Sequence, residues 1–305
     1  MNNYDLVIIG GGPAGLTAGI YAKRAGLSTL MLEKAAPGGQ IMVTDWIENY
    51  PGFPEGLAGY ELTMKMEEQA KKFGLEIRSA SVESLNLDGE EKEVILSKDS
   101  IKAKSVIIAS GCSPRKIGIP GETEFFGKGI STCATCDAMF FKGRDVVAIG
   151  GGDTAVQESL FLTKFVNKVY LVHRRDKLRA TKILQERAFT NDKIEFVWDS
   201  VPVEICGESS VKSVKIKNVK NGNIRELDAA GCFIWIGTTP NTEFLDSKIV
   251  VDQGGFIITN NQMETSVKGV FAAGDVRNTP LRQVSTAVGD AAIAATYADK
   301  YIESL

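Results

Sequence analysis

The stretch DLVIIGGGPAG, residues 5–15, decides the fold of the N-terminal part of the chain. Its apolar run predicts a buried parallel strand that leads directly into Gly10, Gly12 and Gly15. Glycines at this spacing permit a tight turn, let the backbone approach a pyrophosphate and allow a helix to pack closely on the strand. We expect a helix next and then a second strand ending at Glu33, 23 residues beyond Gly10. An acid there accepts hydrogen bonds from both hydroxyls of an adenosine ribose, so the features together predict a dinucleotide-binding unit.

A second copy of this pattern begins at residue 146. An apolar strand runs into GGGDTA, and the following strand reaches His173, again 23 residues beyond the first glycine, Gly150. The acid is replaced here by HRR, residues 173–175, with Arg179 one turn further on. Guanidinium groups bind a 2′-phosphate bidentately, whereas a carboxylate repels it. The pattern therefore predicts a preference for NADPH over NADH on the order of 10²–10⁴-fold. The alternative is a solvated run of charge at the start of a helix.

Between the two glycine loops lies STCATCDAMF, residues 131–140. Cys133 and Cys136 have the C-x-x-C spacing of a redox-active pair, and Asp137 is placed to exchange a proton with a leaving thiolate. Half of a zinc site and two inert buried thiols are the alternatives. A structural zinc site needs four ligands, but the other three cysteines are isolated and His173 is the sole histidine. No metal site is expected.

The composition is that of an ordinary globular enzyme. The chain has 305 residues, 44% hydrophobic and 24% charged, enough for two domains. A net charge of −3 does not indicate the basic surface that binds nucleic acid. No apolar run is long enough to span a bilayer. The N-terminus lacks the basic region of a signal peptide, and five unevenly spaced cysteines do not form a secreted disulfide framework. We expect a cytoplasmic protein without nucleic-acid or membrane partners.

Other segments contribute polar or flexible groups around the first unit. APGGQ, residues 36–40, and IENYPG, residues 47–52, are turn-rich, and ordinary turn chemistry is the alternative for both. SVKGVFAAGD, residues 266–275, predicts a strand that ends at Gly274 and Asp275, a carboxylate that could bind a ribityl chain. An alanine-rich helix is expected from Val284, packed closely within its domain or across a subunit interface. Apolar spacing also predicts helices over residues 60–73 and 176–189.

With these motifs in order, the chain resembles the low-molecular-weight, bacterial-type thioredoxin reductases. GGGPAG, GGQ, IENYPG, CATC, GGGDTA, HRR and FAAGD follow the family's order over nearly the whole length. The resemblance implies an α/β fold of two Rossmann-like three-layer dinucleotide-binding domains, the second inserted in the first. Residues 1–112 and 245–305 would form the FAD-binding domain, and residues 113–244 the NADPH-binding domain that carries the redox cysteines.

The resemblance also implies an enzyme that passes electrons from NADPH through FAD and the Cys133–Cys136 pair to thioredoxin. Cys136 would face the flavin, Cys133 would attack the partner and Asp137 would act as the acid. A homodimer is implied, as is rotation of the smaller domain about linkers near residues 113–118 and 237–242 between the two half-reactions.

The motifs and the resemblance assign binding residues to each cofactor. The FAD set is Gly10, Gly12, Pro13, Ala14, Gly15, Glu33, Lys34, Gly39, Gln40, Asn49, Val82, Ala109, Gly111, Gly274, Asp275, Arg282, Gln283 and Val284. The NADPH set is Gly150, Gly151, Gly152, Asp153, Thr154, Ala155, His173, Arg174, Arg175, Arg179, Ile236 and Gly237.

The chain departs from the family pattern beside the cysteines. Ala138 and Met139 follow Asp137, where glycine and an aromatic residue are common, so partner choice is open. The expected docking surface is Lys128, Met139, Phe140 and Phe141. Three other functions are alternatives: a flavin-dependent dithiol oxidase, a ferredoxin- or flavodoxin-type NADP oxidoreductase of the same fold, and a non-enzymatic dinucleotide-binding redox sensor. The arginines argue against the oxidase, and CATC would be superfluous in the NADP oxidoreductase.

Overall fold

The computed structural model describes residues 3–44, 47 and 49–305, except for the side chains of Val43, Thr135 and Cys136. The chain forms two compact units. Unit 1 is Met1–Ser113 together with Thr239–Leu305, and unit 2 is the inserted segment Pro114–Thr238. The first change of unit comes one residue later than the sequence predicted, and the second comes six residues earlier.

The N-terminal part of the chain alternates strands with helices and then forms a β-meander. Its elements are β1 (Asn3–Ile9), α1 (Pro13–Arg24), β2 (Thr29–Glu33), a short 3₁₀ helix (Gly39–Val43), α2 (Gly59–Lys72), β3 (Glu76–Ser79), β4 (Val82–Asn86), β5 (Lys92–Leu96), β6 (Ser100–Ile108) and β7 (Cys112–Pro114).

Unit 2 begins with a short strand and the redox stretch, and then repeats the strand–helix pattern. Its elements are β8 (Ile130–Ser131), α3 (Ala134–Asp137), a 3₁₀ turn (Ala138–Phe141), β9 (Asp145–Gly150), α4 (Asp153–Leu162), β10 (Lys168–Val172), α5 (Lys182–Phe189), β11 (Ile194–Val197), β12 (Ser200–Gly207), β13 (Val211–Asn218), β14 (Ile224–Asp228), β15 (Gly231–Trp235) and β16 (Thr238–Pro240).

The chain then returns to unit 1 and completes its sheet. The last elements are β17 (Val270–Ala272), a 3₁₀ turn (Gly274–Val276) and α6 (Val284–Glu303). The alanines of α6 are buried in the core of unit 1, where α6 packs on α1. The close helix packing that these alanines predict therefore occurs within the unit.

The unit 1 sheet has the strand order β3-β2-β1-β6-β5-β4, and β17 pairs with the end of β6. Strands β3, β2, β1, β6 and β17 run parallel, whereas β4 and β5 join antiparallel. Leu6 and Ile8 of β1 face the helices, while Val7 and Ile9 enter a second core on the opposite face. A strand buried on both faces is nearly all apolar, which explains the run LVII.

The unit 2 sheet is parallel and has the order β11-β10-β9-β15-β8. Helices α3, α4 and α5 cover one face, and the antiparallel sheet β12-β13-β14 packs on the other. The result is a three-layer unit of the Rossmann type. Since all its strands are parallel, β8, β9, β10 and β15 end at the same edge of the sheet.

The helix predicted over residues 176–189 begins only at Lys182. The preceding segment binds the glycine loop instead. The N–H groups of Arg179 and Ala180 donate to the carbonyl of Gly151 at 2.7 and 3.2 Å, and the Thr181 N–H donates to Asp153 Oδ1 at 2.6 Å. The prediction of a longer helix was wrong because these backbone groups bond across to the loop rather than along a helix.

The two chain crossings between the units are tied by hydrogen bonds on each side. On the unit 1 side, the Asn241 N–H donates to Gly111 O at 3.0 Å, and the hydroxyls of Ser110 and Ser113 donate to Asn241 oxygens at 2.7 Å each. On the unit 2 side, the Arg115 N–H donates to the carbonyl of Gly237 at 2.9 Å. The segments that enter and leave unit 2 therefore run side by side.

Candidate functional site

A cavity of about 420 Å³ lies at the carboxyl edge of the unit 1 sheet. The glycine loop shapes one wall of it. Gly10 has φ +108°, and a Cβ there would lie 2.3 Å from the carbonyl oxygen of Ala109 at the end of β6, so only glycine fits. Of the expected FAD residues, those that line the cavity are Gly10, Gly12, Pro13, Ala14, Glu33, Lys34, Gly39, Gln40, Ala109, Gly111, Asp275, Gln283 and Val284.

A second cavity of about 290 Å³ shares Gly10, Glu33 and Lys34 with the first and extends the site toward Val82. Glu33 is held here by two backbone groups. The Gly11 N–H donates to Oε2 at 2.6 Å, and the Ala35 N–H donates to Oε1 at 2.9 Å. The carboxylate at the end of β2 is therefore fixed beside the glycine loop.

Asp275 supplies a charged group to the larger cavity. Burial raises the pKa of its carboxyl above the ordinary value, and the positive charge of Arg282 offsets part of that effect. The thiol of Cys112 lies 4.0 Å from Asp275 Oδ2. A half-buried carboxylate in a cleft between glycine loops is suited to hydroxyl groups of a ligand, so these residues fit a flavin dinucleotide.

Four of the expected FAD residues do not line either cavity. Gly15 packs against Gly10, where a Cβ would lie 1.8 Å from the Gly10 carbonyl, and Gly274 packs on Ala14. Asn49 donates to Gln283 Oε1 at 3.0 Å. Arg282 stacks over the ring of Phe256, with its guanidinium carbon 4.0 Å from the ring centroid. The Arg282 Nε is one of two buried side-chain atoms without a hydrogen-bond partner among the described residues.

Asn241, Ser110 and Ser113 line the larger unit 1 cavity although the sequence did not point to them. Asn241 reaches it from the returning chain, which is distant in sequence from the glycine loop. Its position directly after Pro240, in the turn that ends unit 2, was the one available signal.

Unit 2 has a cavity of about 280 Å³ at the edge where β9, β10 and β15 end. Gly150 has φ +157°, and a Cβ there would lie 2.4 Å from the carbonyl of Trp235, as Gly10 does with Ala109. Of the expected NADPH residues, those that line it are Gly150, Gly151, His173, Arg174, Arg179 and Ile236. Arg175 is exposed and does not line this cavity, nor do Gly152, Asp153, Thr154, Ala155 and Gly237.

His173 is buried at the centre of this cavity wall. Burial lowers the pKa of its imidazole, and the charges of Arg179 and Arg174 lower it further. Its Nε2 is the second buried atom without a partner within the described part of the chain. A neutral imidazole with an unsatisfied nitrogen, beside two exposed guanidinium groups, fits a phosphate-bearing nucleotide.

Arg115, Ser200 and Pro202 also line the unit 2 cavity. No motif marked them, because they come from the first crossing and from β12 rather than from the repeated strand–helix pattern. Arg115 adds a third arginine to the wall formed by Arg174 and Arg179. The cavity is therefore more basic than the HRR stretch alone predicted.

The redox stretch begins at the same sheet edge, directly after β8. Cys133 is disulfide-bonded. Its N–H donates to the Ser131 hydroxyl at 2.9 Å, and that hydroxyl donates to the Cys133 carbonyl at 3.1 Å. The side chain of Cys136, the other expected redox cysteine, lies outside the described residues. Asp137 ends α3 and is partly exposed.

The expected docking residues are divided between surface and core. Lys128 is exposed, as are Met139 and Phe140, the latter with 76% of its surface accessible. Phe141 is only 8% exposed and packs edge-on against Phe233, 5.3 Å between ring centroids. Its assignment to the docking surface was wrong, because its side chain fills the space beside Gly231. Phe126, 58% exposed, is an apolar surface residue that the sequence did not single out.

No three histidine, cysteine or acidic side chains among the described residues are grouped as a metal site would require. Over the same residues, the structure has no helix with the length and apolar character needed to cross a bilayer.

The chain matches known proteins over its whole length. The family model for pyridine nucleotide-disulphide oxidoreductases matches residues 4–291. A thioredoxin reductase of Peptoclostridium acidaminophilum is 49% identical, covering 99% of this chain and 98% of the relative, and one of Bacillus subtilis is 48% identical, covering 99% and 96%. The crystal structure of Lactococcus lactis thioredoxin reductase, described as the FR conformation, matches with a TM-score of 0.93 at 48% identity, covering 99% of this chain and all of that one.

Proposed function

The chain belongs to the pyridine nucleotide-disulphide oxidoreductases and, within them, to the bacterial-type thioredoxin reductases, and from this we propose how its own residues carry electrons from NADPH through FAD to the disulfide of thioredoxin. One observation carries the proposal. The disulfide-bonded Cys133 and the basic cavity of unit 2 lie at the same edge of one parallel sheet.

FAD belongs in unit 1 and NADPH in unit 2. When bound, FAD would supply the two-electron redox chemistry that links NADPH to the Cys133–Cys136 disulfide. Glu33 and Asp275 place carboxylates along the unit 1 cavities for the hydroxyls of FAD. Arg174 and Arg179 offer guanidinium groups to the 2′-phosphate of NADPH.

The cysteines then transfer the electron pair by disulfide exchange. The Cys133 thiolate attacks one sulfur of the partner disulfide, which forms a mixed disulfide and releases the other partner sulfur as a thiolate. Asp137 exchanges the proton, as a carboxyl beside the redox turn can. Cys136 attacks the mixed disulfide, releases the reduced partner and re-forms the Cys133–Cys136 bond.

A rotation of unit 2 is needed between the half-reactions. The electron donor and the electron acceptor of the flavin are both carried by unit 2, whereas the FAD cavity belongs to unit 1. One flavin face cannot receive the nicotinamide and the disulfide at once, so they must alternate. The hinge lies in the two segments that connect the units. It is bounded by the hydrogen bonds of Asn241 on the unit 1 side and by the hydrogen bond from the Arg115 N–H to Gly237 on the unit 2 side.

The partner is thioredoxin or a thioredoxin-like protein, which docks beside the cysteines on Lys128, Met139 and Phe140. The enzyme acts as a homodimer in the cytoplasm. Family membership supports the dimer, and five unevenly spaced cysteines, which do not form the disulfide framework of a secreted protein, support a reducing compartment. Sedimentation of the holoenzyme at a monomer's mass would contradict the dimer.

Anaerobic rapid mixing tests the function directly. NADPH should bleach the flavin absorbance of the holoenzyme, and oxidised thioredoxin should restore it with one dithiol formed per NADPH. Flavin reduction by a dithiol without NADPH, followed by reoxidation of the flavin once air is admitted, would favour the dithiol oxidase. Flavin reduction without any thioredoxin reduction would favour the NADP oxidoreductase, and failure of both steps would leave the redox sensor.

A further inference from the structure

The peptide unit that joins Thr132 to Cys133 is hydrogen-bonded at both of its polar ends. Its carbonyl, on Thr132, accepts the indole Nε1–H of Trp235 at 2.9 Å. Its N–H, on Cys133, donates to the Ser131 hydroxyl at 2.9 Å, and the same hydroxyl donates to the Cys133 carbonyl at 3.1 Å. Two side chains thus fix the plane of the peptide immediately before the disulfide-bonded cysteine.

Strand pairing explains why these two side chains meet the same peptide. Strands β8 and β15 run parallel, with Ser131 opposite Phe233. Trp235 lies two residues further along β15, on the same face as Phe233 and at the level where the chain leaves β8. The two aromatic rings stack with centroids 5.5 Å apart and planes 21° from parallel. The indole N–H that reaches Thr132 therefore belongs to a ring held by packing.

Both ends of this restraint are anchored on the sheet. Strand β15 is paired on both sides, with β8 and with β9, and Trp235 itself pairs with Gly150 of the glycine loop. The backbones approach so closely there that a Cβ at Gly150 would lie 2.4 Å from the Trp235 carbonyl. Ser131 ends β8 and is only 5% exposed. Groups held on packed strands position a neighbouring segment more precisely than loop residues do.

The restrained peptide bears directly on the sulfur of Cys133. With the plane before Cys133 and the carbonyl after it both bonded, the φ angle of this residue is restrained, and so is the direction of its Cα–Cβ bond. A disulfide requires a specific separation and orientation of its two Cβ atoms, whereas two thiols do not. A turn that is already held in position loses less conformational freedom when the disulfide closes. The restraint therefore favours the disulfide.

We propose that Trp235 is a positioning residue for Cys133. Together with Ser131 it clamps the peptide between Thr132 and Cys133, and this clamp shifts the equilibrium of the Cys133 disulfide toward the oxidised form. The inference rests on the proposed function, since it presumes that this disulfide is the one that turns over.

The test is a glutathione redox titration of the FAD-loaded holoenzyme at pH 7. Two glutathione molecules are oxidised to one glutathione disulfide as the Cys133 disulfide takes up two electrons and two protons, and alkylation with peptide mass spectrometry measures the Cys133 thiol. Trp235→Phe keeps a ring beside Phe233 and removes the N–H donor. We expect half-reduction at a ratio of reduced to oxidised glutathione about 2- to 10-fold lower than in the wild type, the effect of one hydrogen bond.

Trp198→Phe is the matched control. Trp198 also stacks on a phenylalanine, Phe196, with ring centroids 5.0 Å apart, but it follows β11, at the opposite edge of the sheet from β8. Its titration should overlay that of the wild type. A Trp235→Phe titration that overlays the wild type would overturn the proposal, as would a shift toward the disulfide or an equal shift in the control.

Ser131→Ala removes the bonds at the other end of the clamp and should shift the titration in the same direction as Trp235→Phe. It carries the test by itself if Trp235→Phe does not fold. A Ser131→Ala titration that overlays the wild type or shifts toward the disulfide would contradict the clamp.

The titration uses neither NADPH nor thioredoxin. A failure of the proposed function, seen as no flavin reduction by NADPH, would therefore leave the titration readable. A normal turnover with no effect of Trp235→Phe on the titration would instead reject this inference alone.

Discussion

Gly151 lies directly beneath the imidazole of His173, so closely that a Cβ at position 151 would come within 2.3 Å of both Nδ1 and Cε1. The equivalent glycine of unit 1, Gly11, has the same relation to Glu33, whose Cγ would lie 3.0 Å from such a Cβ. In both units the middle glycine of the loop thus leaves the space that the side chain at the end of the second strand occupies. The two residues that we propose to contact the nucleotides, Glu33 and His173, are thus packed against their loops in the same way.

Gly151→Ala should therefore displace His173 and weaken NADPH binding. Overpacking of this kind costs about 1–3 kcal/mol, which corresponds to roughly a 5- to 150-fold rise in Kd. Titration calorimetry with NADP⁺ measures it, and FAD content should stay at the wild-type level. Gly152→Ala is the comparison, because a Cβ there meets nothing within 4 Å. An equal rise in the Kd for NADP⁺ in both variants would show that the contact with His173 does not cause the effect.

Arg174→Ala and Arg179→Ala should each raise the KM for NADPH by about 10- to 100-fold, the effect of losing one charge-assisted hydrogen bond. The KM for NADH should change little, because NADH lacks the 2′-phosphate. Arg175→Ala serves as the matched control, since Arg175 does not line the cavity. If Arg175→Ala had the larger effect, the two lining arginines would not be the phosphate ligands.

Cys133→Ser should abolish thioredoxin reduction and leave NADPH-to-flavin transfer intact. The hydroxyl that replaces the thiol cannot form a mixed disulfide, whereas the nucleotide cavities are untouched. Anaerobic flavin bleaching and a thioredoxin-coupled assay separate the two steps. Cys206→Ser, which changes a half-buried cysteine of β12, should retain both. Thioredoxin reduction that persists in Cys133→Ser would reassign the attacking cysteine.

The lowered pKa of His173 makes the free energy of unfolding depend on pH in the range where its imidazole titrates. Its folded pKa lies below the ordinary 6.5, so the unfolded chain takes up a proton first as the pH falls. The contribution of the neutral imidazole is complete above pH 6.5 and is lost below it, by at most about 1.4 kcal/mol per pH unit. Urea unfolding of the wild type and of His173→Gln between pH 5 and 8 measures this. The two stability curves should converge toward low pH, and parallel curves would contradict the shift.

Much of the fold could be predicted because local chemistry dictates it. The run LVII and the glycines after it define β1 and its loop, since a strand buried on both faces must be apolar and its turn must pass under the carbonyl of Ala109. The equal spacing from Gly10 to Glu33 and from Gly150 to His173 likewise placed both strand-end residues in their cavities.

The features of the fold and of the site that the sequence did not predict depend on contacts between residues that are distant in sequence. Residues 176–181 have the apolar spacing of a helix, but their N–H groups bond to the glycine loop. Phe140 and Phe141 are neighbouring residues of the same type, so the sequence alone does not tell which one is buried. Contacts with Phe233 and Gly231 bury Phe141.

The hydrogen bond from the Arg115 N–H to Gly237 makes the inserted unit a closed module. Its two ends are as near to each other as the ends of a hairpin loop, so the host sheet is interrupted without being stretched. A segment with adjacent termini can be inserted, replaced or transferred to another host at little cost in chain geometry. The order of the unit 1 strands can thus stay the same while unit 2 is exchanged as one segment.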